Sequence, residues 1–269
     1  MNADIYHAIG NKYIVIEPQG SGEPPTPEQI QKICHPNFGL GSDGILFGPL
    51  SSNKAHYALQ IFNPDGSEAE KSGNGIRIFS RYLYEKGLVK EEPFLIDTKG
   101  GVVEVRVFDA GKTVEVDMGM VSFLETSNNE ITVKGKTLKF NAATIGNPHC
   151  VIFLPEISPE LAKKYGPHIE KHSYFPNKTN VQFVRIKNRK EIDLEIWERG
   201  AGYTLSSGSS SCAAVAVARK LDLCDQDVIV HMPGGDLSIH VKDDYSVKMT
   251  GSVTKIAEGT ISQEVFNKD

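Results

Sequence analysis

KSGNGIRIF at 71–79 and SSGSSSCAAVAVA at 206–218 are the two stretches on which the reading of this chain turns. Each closes a polar run with small residues and opens an apolar one. Their leading serines, Ser72 and Ser207, lie 135 positions apart, about half of the 269 residues, which predicts two halves built alike. Small residues at a helix start leave backbone N–H groups pointing outward, where orphan donors and the helix dipole favour an anion such as a carboxylate. Serine is also a good N-cap, so capping alone can account for either turn. The half-chain pairing favours a site, with two matched helix openings gripping one substrate from opposite sides.

The residues after each turn support a helix. After Asn74, the residues Ile76, Phe79, Leu83 and, further on, Leu88 recur at near-helical spacing, with Arg77, Arg81 and Lys86 between them and Gly87 available as a stop. From Cys212 to Ala218 the residues are small and apolar all round, which predicts a helix enclosed by other elements and too short to cross a membrane. Elsewhere GVVEVRVFD at 101–109, KTVEVDMG at 112–119, NVQFVRI at 180–186 and EIDLEIWERG at 191–200 alternate apolar and polar residues as strands do. Further helices are expected at 27–34, after the PPTPEQ entry, and near 158–171. Each half therefore reads as many strands around one principal helix. The polar junction around 118–125 is the best boundary, with TKIAEGTISQ returning to the first half. Residues 1–117 plus 253–269 are then expected as the N-terminal half and 118–252 as the C-terminal half.

Composition limits the partners. With 39% hydrophobic and 23% charged residues, the chain can bury a large core in one or two domains. A formal charge of -5 and the lack of a basic cluster beyond short runs such as Lys187 to Lys190 argue against nucleic acid and favour a small molecule. No membrane segment is expected. Cys34, Cys150, Cys212 and Cys224 show neither CxxC spacing nor a preceding secretory segment, so a reducing cytoplasm is expected and neither zinc nor a disulfide framework is indicated. The neighbours Cys34–His35 and His149–Cys150 would point to opposite sides of an extended chain, which speaks against a metal. GLGSDG at 39–44 has the spacing of a dinucleotide fingerprint, but ILFGPL after it is a poor helix, which leaves a nucleotide-dependent oxidoreductase as a minor alternative.

A set of polar residues borders the apolar runs. Asn11, Asn63, Asn147 and Asn180 each sit at the edge of one, and Glu198–Arg199 does the same in IWERGAG. Asparagine at a strand end is commonly a turn former, and Glu198 with Arg199 can equally be a surface ion pair. Gathered in one pocket, they would supply amides, a carboxylate and a bidentate guanidinium for an amino acid's ammonium and carboxylate groups.

In this order AIGNKYIVIE, GLGSDGILF, NPDGSEAEKSGNGIR, GNPHCV, TNVQFV, WERGAG, the turn at 207, PGGDLSIHV and KMTGSV resemble, nearly end to end, the diaminopimelate epimerases of the cofactor-independent amino-acid racemase and epimerase group. The resemblance implies an α+β fold of two pseudo-symmetric halves, each a mixed rolled sheet around a central helix, with the substrate in the cleft between them. It implies stereoinversion of LL-2,6-diaminopimelate to the meso form, a step toward lysine and peptidoglycan precursors, without pyridoxal phosphate, other cofactor or metal. Asn11, Asn63, Asn147, Asn180, Glu198 and Arg199 would hold the distal amino-acid end. Gly73, Asn74, Gly208 and Ser209 would offer N–H groups to the reacting carboxylate. A homodimer is an assembly the sequence leaves open.

Family members carry cysteine where this chain has Ser72 and Ser207, one thiolate removing the α-proton and the opposite thiol returning one. A thiol of pKa about 8.5 ionises readily at a helix N-terminus, whereas a serine hydroxyl needs an added base. The chain as written is therefore expected to be nearly inactive. A double replacement made in the laboratory is the favoured origin of the serines; the alternative is a natural relative that only binds an amino acid. A racemase of another amino acid, such as histidine, is the remaining reading.

Overall fold

The computed structural model describes residues 1–20, 22–124 and 129–267, so residue 125 of the expected junction and residues 268 and 269 of the expected N-terminal half lie outside it. The chain divides into two compact units, Met1–Val116 with Gly251–Asp269, and Asp117–Thr250.

In the first unit the strands are β1 (Asn2–Ala8), β2 (Asn11–Ile16), β3 (Ile45–Leu50), β4 (Tyr57–Phe62), the short β5 (Glu68–Ala69), β6 (Phe94–Thr98), β7 (Gly101–Phe108) and the start of β8 (Thr113–Met120). Two helices are inserted, α1 (Pro27–Cys34) before β3 and α2 (Gly73–Glu85) after β5. The second unit runs through β9 (Ser122–Leu124), a separate hairpin of β10 (Glu130–Val133) and β11 (Lys136–Lys139), then β12 (Asn141–Thr144), β13 (Pro148–Phe153), β14 (Asn180–Asn188), β15 (Glu191–Glu198), β16 (Gly202–Thr204), β17 (Asp227–Met232), β18 (Gly235–Val241) and β19 (Ser246–Ser252). Its helices are α3 (Pro159–Glu170) before β14 and α4 (Gly208–Lys220) after β16. The last strand, β20 (Thr254–Thr260), pairs with β1 in the first unit.

The two units repeat one topology. In the first, β1–β2 is antiparallel, β2–β3 parallel, β3–β4 antiparallel, β4–β6 parallel and β6–β7 antiparallel. In the second, β12–β13, β13–β14, β14–β15, β15–β17 and β17–β18 show the same succession of senses. The principal helices repeat it as well: α2 packs on β1, β2, β3 and β7, and α4 on β12, β13, β14 and β18. The fold is thus a mixed-sheet α+β architecture of two pseudo-symmetric halves. Near the expected junction the chain is largely extended, with β8 reaching Met120 and β9 beginning at Ser122.

Local chemistry explains the helices. Thr26 caps α1 through a capping box with Gln29, and Pro27 fills the first helical position, whose N–H would be unpaired in any case. Its Ile30 and Ile33 pack against Ile14, Ile16, Ile45 and Phe47 on one face of the sheet. Ser158 caps α3 by accepting from the N–H of Leu161, with Pro159 at the first helical position, and its Ala162 and Ile169 cover Cys150, Ile152, Val181 and Phe183. In α4 every residue from Ser210 to Ala218 is buried, which explains a segment apolar all round. α2 ends at Lys86 with Gly87 at φ 71, where the N–H of Leu88 returns to the Leu83 carbonyl in the usual glycine stop.

Two expectations about motifs are refined by these elements. GLGSDG lies between helix α1 and strand β3, the reverse of the strand–turn–helix order that aims N–H groups at a pyrophosphate. Cys34–His35 sits at the end of α1 rather than in an extended chain, whereas His149–Cys150 does lie in β13.

Glu170 of α3 anchors the end of β15, its carboxylate accepting from Trp197 Nε1 at 2.8 Å and from the N–H of Gly200 at 3.1 Å. This packing needs a glycine at 166, since a Cβ there would lie 2.5 Å from Trp197 Cβ and Cγ. Gly166→Ala is expected to lower stability by about 1–3 kcal/mol in urea unfolding, overpacking outweighing the roughly 1 kcal/mol helix-propensity gain. A more stable variant would contradict this contact.

Candidate functional site

Ser72 and Ser207 are the N-caps of α2 and α4, and their backbones match, with φ/ψ of -136/114 and -152/123. The side chains differ. Ser72 Oγ accepts from the N–H of Gly75 at 3.0 Å and lies 3.2 Å from Tyr13 Oη. Gly75 permits that approach, because a Cβ at 75 would come within 3.2 Å of Ser72 Oγ. Ser207 is buried and makes no side-chain cap bond, so the first-turn N–H groups of α4 are not satisfied by it.

In the first unit the side chains expected to bind substrate are partly joined. Asn74, buried at the second position of α2, donates from Nδ2 to Asn11 Oδ1 at 3.2 Å. Asn11, the first residue of β2, donates in turn to Asp43 Oδ2 at 2.9 Å, and Asp43 also accepts from the N–H of Lys12. A row of oriented amides therefore leads to the first turn of α2. Asn63, just beyond β4, closes the turn to Ser67: its Nδ2 donates to Ser67 Oγ at 3.0 Å and its N–H to the Ser67 carbonyl.

In the second unit Asn180 ties three strand ends together. Its Nδ2 donates to the Pro148 carbonyl at 3.0 Å and its Oδ1 accepts the Arg199 N–H at 3.0 Å. Arg199 is exposed and Nη1 reaches the Asn177 carbonyl at 3.4 Å, while Glu198 is half-buried at the end of β15. Asn147 leans on the first turn of α4, Nδ2 to Ser209 Oγ at 3.4 Å. Gly208 and Ser209 open that helix as Gly73 and Asn74 open α2.

Tyr13, Asp43 and His149 touch these groups, and Gln182 and Ser210 join on through His149; of these, sequence had singled out only His149, and that only as a metal candidate to be set aside. Tyr13 and Gln182 lie inside strand runs and read as ordinary alternation. His149 is 1% exposed and is held neutral, its pKa pushed down to about 3 by burial and by the nearby Arg199, against a smaller upward effect of Gln182. Among the described residues no group of three or more His, Cys, Asp or Glu side chains is placed to hold a metal ion.

The fold class is shared with solved proteins of low sequence identity. A phenazine biosynthesis protein of the PhzF family from Bacillus anthracis superposes with a TM-score of 0.75 at 17% identity, over 97% of this chain and 99% of that one. A hydroxyproline epimerase from Agrobacterium vitis gives 0.74 at 15% identity, over 96% and 91%. The family is narrower: the model for diaminopimelate epimerase matches residues 4–124 and 141–256, and the chain belongs to that family. A relative from Nostoc sp. (strain PCC 7120) described as diaminopimelate epimerase 2 is 58% identical, over 97% of this chain and 95% of its own.

The unlike caps predict unlike costs. Ser72→Ala is expected to lose about 1 kcal/mol of stability and Ser207→Ala clearly less, read as urea midpoints at a common slope. Equal losses would contradict the capping difference. His149 adds a pH dependence. The unfolded imidazole takes up a proton near its ordinary value of 6.5 while the folded one resists until about 3, so stability falls as pH drops through that window. His149→Gln is expected to flatten the stability profile there, and an unchanged slope would show that the buried imidazole is not neutral.

Proposed function

We propose that this chain is the serine form of a cofactor-independent diaminopimelate epimerase, in which positions 72 and 207 are the two acid–base positions for inversion of LL-2,6-diaminopimelate to the meso form. With serine at both, it binds the amino acid and turns it over very slowly. The observation that carries the reading is the matched pair of extended N-caps, Ser72 and Ser207, at equivalent points of two units with one topology. Membership of the diaminopimelate epimerase family supports the substrate.

Removing an α-proton sends charge into the adjacent carboxylate, and preorganised N–H donors at helix starts stabilise it. Gly73, Asn74, Gly208 and Ser209 supply such donors. Asn11, Asn63, Asn147, Asn180, Glu198 and Arg199 are assigned to the distal amino-acid end. One acid–base position takes the proton and the other delivers one, so the sequence of events needs two ionisable atoms. The hydroxyl of Ser72 meets a phenol and a backbone N–H, neither of which is a base. The resident thiols do not replace the missing pair: all four are buried, and burial pushes those of Cys34, Cys150 and Cys224 up. Four cysteines outside any disulfide suit a reducing compartment, and we assign the protein to the cytoplasm. The loss of each acid–base group costs about two to four orders of magnitude in rate.

The double variant Ser72→Cys with Ser207→Cys is expected to restore α-hydrogen exchange with deuterated water together with inversion, monitored by mass spectrometry and chiral analysis. Either cysteine alone gives exchange without efficient inversion. A folded double variant that binds diaminopimelate but does neither would sink the two-base reading. Arg199→Lys is expected to weaken calorimetric affinity for diaminopimelate by about tenfold, through loss of a bidentate contact. Unchanged affinity would remove Arg199 from the site. A turnover screen of the double-cysteine variant across amino acids separates diaminopimelate from histidine or another substrate.

A further inference from the structure

Asn147, His149, Gln182 and the first turn of α4 form one chain of hydrogen bonds, buried from His149 to Ser210 and half-buried at Asn147. Asn147 Oδ1 lies 2.9 Å from His149 Nε2, His149 Nδ1 lies 3.0 Å from Gln182 Nε2, and the same Gln182 nitrogen lies 2.9 Å from Ser210 Oγ. Asn147 Nδ2 returns to Ser209 Oγ at 3.4 Å, so the chain closes on two neighbouring residues of α4. Gln182 is fully buried and its Oε1 has no hydrogen-bond partner.

The heavy atoms admit two orders of protons. In the first, the Gln182 amide donates both hydrogens, one to His149 Nδ1 and one to Ser210; His149 then carries its proton on Nε2 and donates to Asn147 Oδ1, leaving the Asn147 NH2 on the Ser209 side. The second order inverts every element: both amides turn over, the imidazole proton moves to Nδ1, and Asn147 shows a carbonyl oxygen on the Ser209 side. The orphaned atom decides between them. The first order leaves one buried carbonyl oxygen unpaired, whereas the second leaves a buried NH2 with two unpaired donors. Orphaned buried N–H groups are the rarer and costlier case.

We propose that Gln182 is a positioning residue: through the Nε2–H tautomer of His149 it sets the polarity of Asn147, making that amide a hydrogen-bond donor for a carboxylate oxygen of the ligand. The identity of the ligand rests on the diaminopimelate reading; the polarity of the chain does not. His149 suits this part because burial and Arg199 keep it neutral, so one ring nitrogen always accepts while the other donates. Asn147 thereby selects an anionic oxygen over an ammonium group.

The full-length chain, labelled with nitrogen-15 at histidine, reports the tautomer directly in long-range proton–nitrogen correlation spectra at neutral pH, the His149 signals being assigned by their loss in His149→Gln. A protonated Nε2 and an unprotonated Nδ1 are expected; a protonated Nδ1, alone or in an imidazolium, would overturn the proposal. Gln182→Met, which keeps bulk but removes the donor, is expected to free the His149 tautomer into a mixture and to weaken diaminopimelate binding about tenfold. If that variant is merely less stable, with the His149 signals and the affinity unchanged, Gln182 is a packing residue and the proposal fails. If Gln182→Met does not fold, the spectrum of the unsubstituted chain still decides the polarity. Failure of the unsubstituted chain to bind diaminopimelate would strike the functional reading and leave the tautomer result standing.

Discussion

Everything in each unit depends on wrapping a mixed sheet around a helix that has almost no contact with water. Enclosure makes α4 small and apolar from Cys212 to Ala218 and leaves α2 with a buried Arg77 among its apolar residues, yet in both the first turn has N–H groups that no residue of the helix can satisfy. Those donors have to be answered where the helix begins. In α2 the answer is partly internal, from Ser72 Oγ; in α4 the serine at the same point withholds its side chain. The same constraint that builds the core therefore leaves a donor-rich turn in each unit, and the flanking asparagines on β2 and before β13 lean on those turns.

Burial also sorts the titratable groups. His149 sits under the first turn of α4 and is held neutral, so it serves as a hydrogen-bond conduit rather than a charge. The cysteines are spent on packing: Cys34 at the end of α1, Cys150 in β13 and Cys212 in α4 are core residues, and burial raises the thiols of Cys34 and Cys150, the opposite of what catalysis by cysteine needs. In the proposed function, recognition falls to amides and backbone donors and proton movement to the two N-caps, where one substitution would change the chemistry with little change in shape.

Much of this was legible in the sequence for identifiable reasons. The half-chain spacing of Ser72 and Ser207 carried the repeat, because duplicated topology keeps equivalent helix starts at equal distances along the chain. The all-apolar run from Cys212 to Ala218 carried the enclosure of α4, and the alternation at 101–109 gave β7 with Val103, Val105 and Val107 buried on one face. What was not legible depends on contacts between distant strands. Asn180 reads as a turn residue until Pro148 and Arg199 are seen on either side of it. Gln182 occupies an ordinary strand position whose meaning comes only from His149 and Ser210, 33 and 28 positions away. The boundary expected near 118 lies beside the break between units at Val116 and Asp117, and the residues that follow it, up to Leu124, are largely extended.

The proposed function holds that the chain binds the amino acid while hydroxyls stand where thiols would move protons. The unsubstituted chain titrated with LL-2,6-diaminopimelate in deuterated water, with heat and ligand mass measured in the same sample, tests it most directly. Saturable heat with no deuterium gained over many residence times is the expected result. Rapid deuterium incorporation would contradict the account, and so would the absence of any binding by the folded chain.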